Sequence, residues 1–117
     1  MVADAGPEPP GDLALVVTTI GGMDAAESLV RSLLDERLIA CGNILPDVLS
    51  IYRWEGAVAR EREVVVLLKT AATRVGELST RIVALHPYAV PEMMTLPVTG
   101  AFPPYAQWVL ESTGVGA

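Results

Sequence analysis

The 117 residues contain a single cysteine, a single histidine and a single phenylalanine. With one thiol, Cys41, the chain can form no intrachain disulfide and no CxxC redox or zinc pair. Cations are scarce as well: 8 Lys and Arg stand against 14 Asp and Glu, a formal net charge of −6. Nothing resembles the clustered basic footprint used to hold phosphate backbones, so no nucleic-acid partner is expected. The acidic field favours cations, although a surface carboxylate is most often simply solvated. No apolar run approaches the roughly 18 residues of a membrane span, and no membrane partner is expected. A Walker phosphate loop, GxGxxG, HExxH and GxSxG are absent too, which removes the usual machinery of nucleotide hydrolysis and zinc proteolysis. The opening MVADAGPEPPGD lacks the basic head and apolar core of a secretion signal, so a cytoplasmic location is expected.

What is present is apolar. Hydrophobic residues make up 51% of the chain, and the mean hydropathy of +0.43 is high for a small soluble domain. The excess points to burial between subunits. The length suits one domain. Residues 1–12 read as a disordered leader and 114–117 as a flexible tail, which leaves a single domain over 13–113.

The run LALVVTTI, ended by Gly21-Gly22, predicts a strand and a turn. Asp24 with Glu27 forms a capping-box-like pair before DAAESLVRSLLDERL, where Ala26, Leu29, Val30, Leu33, Leu34 and Leu38 mark one helical face. From Ala40 the pattern turns to strand, with a bulge or kink at Pro46-Asp47 and a turn at Glu55-Gly56. The returning strand carries alternating Arg60, Glu61, Arg62 and Glu63 and then the solid apolar run Val64 to Leu68. Thr73 is the expected cap of a second helix bearing Val75, Leu78, Ile82 and Leu85, which Pro87 ends. EMMTLPV is a fourth strand, and Pro103-Pro104 opens a last helix with Tyr105, Trp108 and Val109 on one side. The order β-α-β-β-α-β plus a terminal helix predicts an α+β, ferredoxin-like antiparallel sheet with both long helices on one face. Strands one and three are apolar at consecutive positions, as in strands buried on both faces. Another copy of the chain is the expected cover for the second face.

Each residue able to carry chemistry has two readings. His86, at a helix end, is either an imidazole stabilised by the last carbonyls or a ligand for copper or zinc, with Glu92 orienting it or sharing the ion. Glu92 alone is a solvated acid at a strand start. Cys41 is either a small buried apolar residue or a soft ligand. In the expected topology Cys41 and His86 lie at opposite ends of the sheet, about 17 Å apart, so one subunit does not join them. Tyr52, Trp54, Tyr88, Tyr105 and Trp108 serve core or subunit packing, or form a ligand cage. Lys69 on a dry strand is paired with a subunit-interface carboxylate or meets a ligand anion. The turn Thr18 to Gly22 is either a plain connection or a rest for a small anion.

The segments ACGNILP, SIYRWEG, EVVVLLKT, HPYAVPEMMTLPV and PPYAQWV, in that order and spacing, resemble the CutA divalent-cation tolerance family over Leu13 to Thr113. The resemblance implies a homotrimer in which the extended hairpin of the second and third strands reaches onto neighbouring subunits. It also implies involvement with copper and other divalent cations, an architecture similar to the PII signalling proteins, and no established catalytic reaction. By position, Tyr52, Trp54 and Gly56 match the family hairpin, Glu63, Lys69 and Thr70 the next strand, and His86, Pro87, Tyr88 and Glu92 the turn that follows. Cys41 matches the cysteine of the ACxN segment. Members in which copper ligation is proposed offer a second histidine and a further cysteine where this chain has Leu85 and Thr18. The expected function is therefore non-enzymatic, with Cu2+ or another divalent cation held weakly at His86, Cys41 or Glu92 and no tightly bound cofactor. The alternatives are a PII-like sensor binding a small molecule or anion at a subunit cleft lined by Tyr52, Trp54, Glu63, Lys69, Tyr88, Tyr105 and Trp108, and a trimeric scaffold for a protein partner.

Overall fold

Period-two and two-faced apolar runs build the sheet, and stripes at helical spacing build the layer over it. The structure, a computed structural model, describes residues 12–115. Strand β1 is Leu13–Ile20 and helix α1 is Met23–Asp35. Strands β2, Cys41–Trp54, and β3, Ala57–Ala71, form a long hairpin. A 3-10 turn at Ala72–Arg74 leads into α2, Val75–Leu85, followed by β4, Met93–Val98, and α3, Pro103–Ser112. The strands make one antiparallel sheet in the order β2-β3-β1-β4, the ferredoxin-like arrangement expected from the element order.

One face of the sheet is dry. Val16 and Ile20 of β1 and Val64, Val66 and Leu68 of β3 pack against Ala26, Leu29, Val30 and Leu33 of α1 and Leu78 and Ile82 of α2. Two threonines share that face and are fully buried, each with its hydroxyl satisfied: Thr18 donates to the Glu92 carbonyl at 2.6 Å and Thr70 to the Leu38 carbonyl at 2.7 Å. Helix α3 closes one end of the sheet by packing Ala106, Val109 and Leu110 on Leu13, Ala40 and Ala71. Val115 packs there as well, its N–H bonded to the Leu110 carbonyl at 2.7 Å, so the first residues of the expected tail belong to the fold. Residues 1–11 of the expected leader and 116–117 of the tail lie outside the described residues.

The other face is open. Leu15 and Val17 of β1 stand beside Leu67 and Val65 of β3, with Leu45 on one edge strand and Met94 and Leu96 on the other. Met94 is 55% exposed and Leu45 45%. Beyond the register shift between Leu45 and Val48, at Pro46-Asp47, the hairpin continues as an arm without a helix behind it. It turns at Glu55 and Gly56, whose φ values of 50° and 81° make the two-residue connection whose twist suits a hairpin. The arm stretches the molecule to 53 × 29 × 22 Å, and its radius of gyration of 16.1 Å exceeds the about 13 Å of a compact domain of this size. No helix among the described residues is long and apolar enough to cross a membrane.

Several local expectations need correction. Asp24 and Glu27 form no capping box: Gly22 occupies the cap position without a side-chain bond, and Glu27 instead pairs with Arg31 one turn on, at 2.8 Å. Thr73 does not cap α2, because the 3-10 turn absorbs it and Arg74 takes the cap position. Leu34 and Leu85 sit at the margins of their stripes and stay exposed, while the buried face of α3 is Ala106, Val109 and Leu110 rather than Tyr105 and Trp108.

Candidate functional site

Beyond the end of β1, the turn after α2 wraps across the base of the hairpin arm, and the polar residues gather there. Pro87 ends α2, and His86 leaves the helix in extended geometry with φ −76° and ψ 137°. That swings its ring beneath β1, where it is 7% exposed. Its Nε2 lies 2.7 Å from the Thr19 carbonyl, and the Tyr88 N–H donates to Nδ1 at 3.1 Å. Since a backbone N–H only donates, Nδ1 is the acceptor and Nε2 carries the proton that Thr19 receives, which fixes the neutral tautomer. Both ring nitrogens are engaged. The Tyr88 ring meets the imidazole edge-on, with centroids 4.6 Å apart.

From this turn the Tyr88 hydroxyl reaches across and donates to Glu63 of β3 at 2.8 Å. Burial, then that hydrogen bond and the nearby Glu63 and Glu61 carboxylates, push the phenol pKa well above its ordinary value of 10.0. Glu63 is only 8% exposed, and among the described residues no Lys or Arg pairs with it. Next along the arm, Tyr52 donates to Glu61, a contact that raises the Tyr52 pKa, with desolvation adding to it. Trp54 continues the Tyr52 side of the ribbon and is half exposed. The result is one face of phenols and carboxylates at the root of the arm.

A second group sits toward the α3 end of the open face. Cys41 and Leu15 flank Lys69 in register. The Lys69 ammonium donates to the Asn43 side-chain oxygen, and the Cys41 thiol lies 3.7 Å from the same atom. Tyr105 of α3 lies close by: burial first, then Cys41, raises its pKa. Its ring and that of Trp108 are 5.6 Å apart on the exposed side of α3.

The structure does not bring His86, Cys41 and Glu92 together. Cys41 is level with Leu15 while His86 is bonded to Thr19, and those strand positions are about 13 Å apart. Glu92 is exposed, and only its backbone carbonyl is engaged, by Thr18. Among the described residues no three or more His, Cys, Asp or Glu side chains are grouped to hold a metal ion. The described residues of a single copy therefore offer no ready-made metal centre. Sequence reasoning missed Asn43, the shared partner of Lys69 and Cys41, and Glu61, the partner of Tyr52. Asn43 stood inside the quoted ACGNILP segment and Glu61 in the alternating run Arg60 to Glu63, neither with a spacing that marked it as a partner.

Comparison with known proteins places this geometry. Residues 14–112 match the profile of the family described as CutA1 divalent ion tolerance protein. The divalent-cation tolerance protein CutA of Thermus thermophilus is 40% identical over 100 residues, covering 86% of this chain and 97% of the relative. The mouse protein CutA is 35% identical over 104 residues, and there the match covers 89% of this chain but only 59% of the relative. The crystal structure of CutA from Xylella fastidiosa superimposes with a TM-score of 0.85 at 37% identity, covering 88% of this chain and 99% of that one. In sequence and in fold alike, the chain belongs to the CutA1 divalent ion tolerance protein family.

Proposed function

We propose that this chain is a non-enzymatic divalent-cation tolerance protein of the cytoplasm that works as a homotrimer. The observation that carries the assembly is the open face, where Leu15, Val17, Leu45, Val65, Leu67, Met94 and Leu96 stand in register with no helix above them. A contiguous apolar surface of this kind marks an interaction site, and copies related by a closed rotation cover it without leaving edges. The non-enzymatic reading is supported by the lack of a nucleophile beside a base among the described residues: the Cys41 thiol faces Asn43, and both His86 nitrogens are taken. A lone thiol suits a reducing compartment.

Copper or another divalent cation is bound weakly, with His86 the preferred ligand and Glu92 its helper; Cys41 joins them only across a subunit boundary. Access to Nδ1 requires displacement of the Tyr88 N–H, which supports weak rather than tight binding. Calorimetric titration with copper(II) tests the site. A low-affinity isotherm that disappears in His86→Ala is expected, and an isotherm unchanged by that substitution removes His86 as a ligand.

A second reading is favoured by the Tyr52–Glu61 and Tyr88–Glu63 pairs, which hold an aromatic and polar face in place before any ligand arrives. On that reading the subunit cleft senses a small molecule in the PII manner. Thermal-shift screening separates the two: stabilisation by a nucleotide or metabolite and none by metal selects the sensor.

A further inference from the structure

Three charged side chains on the same face of β3, Glu61, Glu63 and Lys69, have no opposite charge among the described residues; Glu61 is exposed on the arm beside Tyr52, so Glu63 and Lys69 are the two already drawn out of water. Glu63 is nearly buried and bonded only to the Tyr88 hydroxyl, while Lys69 is half-buried between Cys41 and Leu15 and bonded to the neutral Asn43 side chain. They cannot meet within one copy, because the strand rises about 20 Å between them. The other cations are accounted for differently. Arg31, Arg62, Arg74 and Arg81 each pair with a carboxylate, Arg37 is exposed after α1, and Arg53 and Arg60 are exposed on the opposite side of the arm. Covering the open face would strip water from Lys69, whose ammonium then needs an anion, and would complete the burial of Glu63, which then needs a cation.

We infer that Glu63 of one copy pairs with Lys69 of a neighbouring copy, so that the open face selects a second copy of this chain in one register. The inference rests on the homotrimer reading above and adds the charges that orient the subunits. Apolar rows alone tolerate sliding; two opposite charges set far apart on one strand do not, because a shifted register leaves both desolvated and unpaired. Each subunit contributes one half of the pair to each of its two seams in a closed ring.

A charge-reversal cycle read by light scattering over a dilution series tests this. Glu63→Lys and Lys69→Glu should each weaken assembly by about tenfold or more, and the doubly reversed variant should recover most of the loss. Single variants that assemble like the wild type, or a double variant as weak as the two losses combined, overturn the pairing. Where a reversal prevents folding, as judged by circular dichroism, a cross-link gives the answer. In a Cys41→Ser background, Glu63→Cys with Lys69→Cys treated with a short bismaleimide should give covalent multimers on a denaturing gel; monomers alone overturn the pairing. A monomeric wild type overturns the trimer and this inference together, whereas a trimeric wild type without rescue or cross-link overturns this inference alone.

Discussion

Gly42 stands where Val30 of α1 presses against the sheet. A Cβ at this position would lie 2.8 and 2.9 Å from the two methyl carbons of Val30, and a β-branched side chain in a helix has almost no alternative rotamer into which to withdraw. Gly42→Ala is expected to cost about 1–3 kcal/mol, seen as a lower urea midpoint at unchanged slope. Adding Val30→Ala should return part of that loss; strict additivity would mean the two sites do not touch. Tyr88 carries the pH dependence. Its folded-state pKa is raised by burial and by the bond to Glu63, so its contribution is complete below the unfolded pKa and is lost as pH rises toward the folded one. The wild type should weaken as pH climbs above about 10, and Tyr88→Phe should weaken less over the same interval. Equal losses would assign the alkaline dependence elsewhere. Neither residue announced its role in the sequence. The Val30–Gly42 approach is made by tertiary packing, and the Tyr88–Glu63 bond joins residues 25 positions apart, which no local pattern encodes.

At the scale of elements, what was legible was whatever a short stretch decides by itself. Glu55-Gly56 forms the turn because two successive residues must take positive φ, and glycine does so without a Cβ penalty. Gly56→Ala is therefore expected to destabilise the hairpin by about 1–2 kcal/mol. Glu55→Asn, which suits the first turn position, should raise the thermal midpoint slightly; a drop would mean the Glu55 side chain has a role of its own. Pro46 also shows from sequence alone, since it cannot donate to the ladder, and the register does shift at Pro46-Asp47. Helix caps were less legible. Asp24 and Thr73 have suitable side chains, yet the chain enters α1 through an extended Gly22 and α2 through a 3-10 turn. Whether a cap forms depends on how the preceding strand exits the sheet, and one helix's residues do not contain that information.

For the whole molecule, the decisive pattern was the consecutive apolar positions of β1 and β3, which implied cover on both faces, while α1 and α2 cover one and α3 reaches only the Leu13 and Ala71 end of the other. Leu67 looks away from the helix layer, toward Val17 and Asn43 of the flanking strands. Leu67→Glu is expected to leave the helical signal in place and yield monomers by light scattering at micromolar concentration; a retained trimer would move the interface off this face. The arm beyond Pro46-Asp47 carries a further consequence. With no helix behind it, its amide protons are shielded in a lone copy only by the ladder between two strands, so they should exchange with deuterium near the rate of local opening. A neighbour lying over the arm would slow that exchange by an amount set by the protein concentration. Deuterium uptake at Ser50 to Ala59, followed on dilution, would thus report subunit dissociation residue by residue, while the amides of Val64 to Leu68 remain protected throughout.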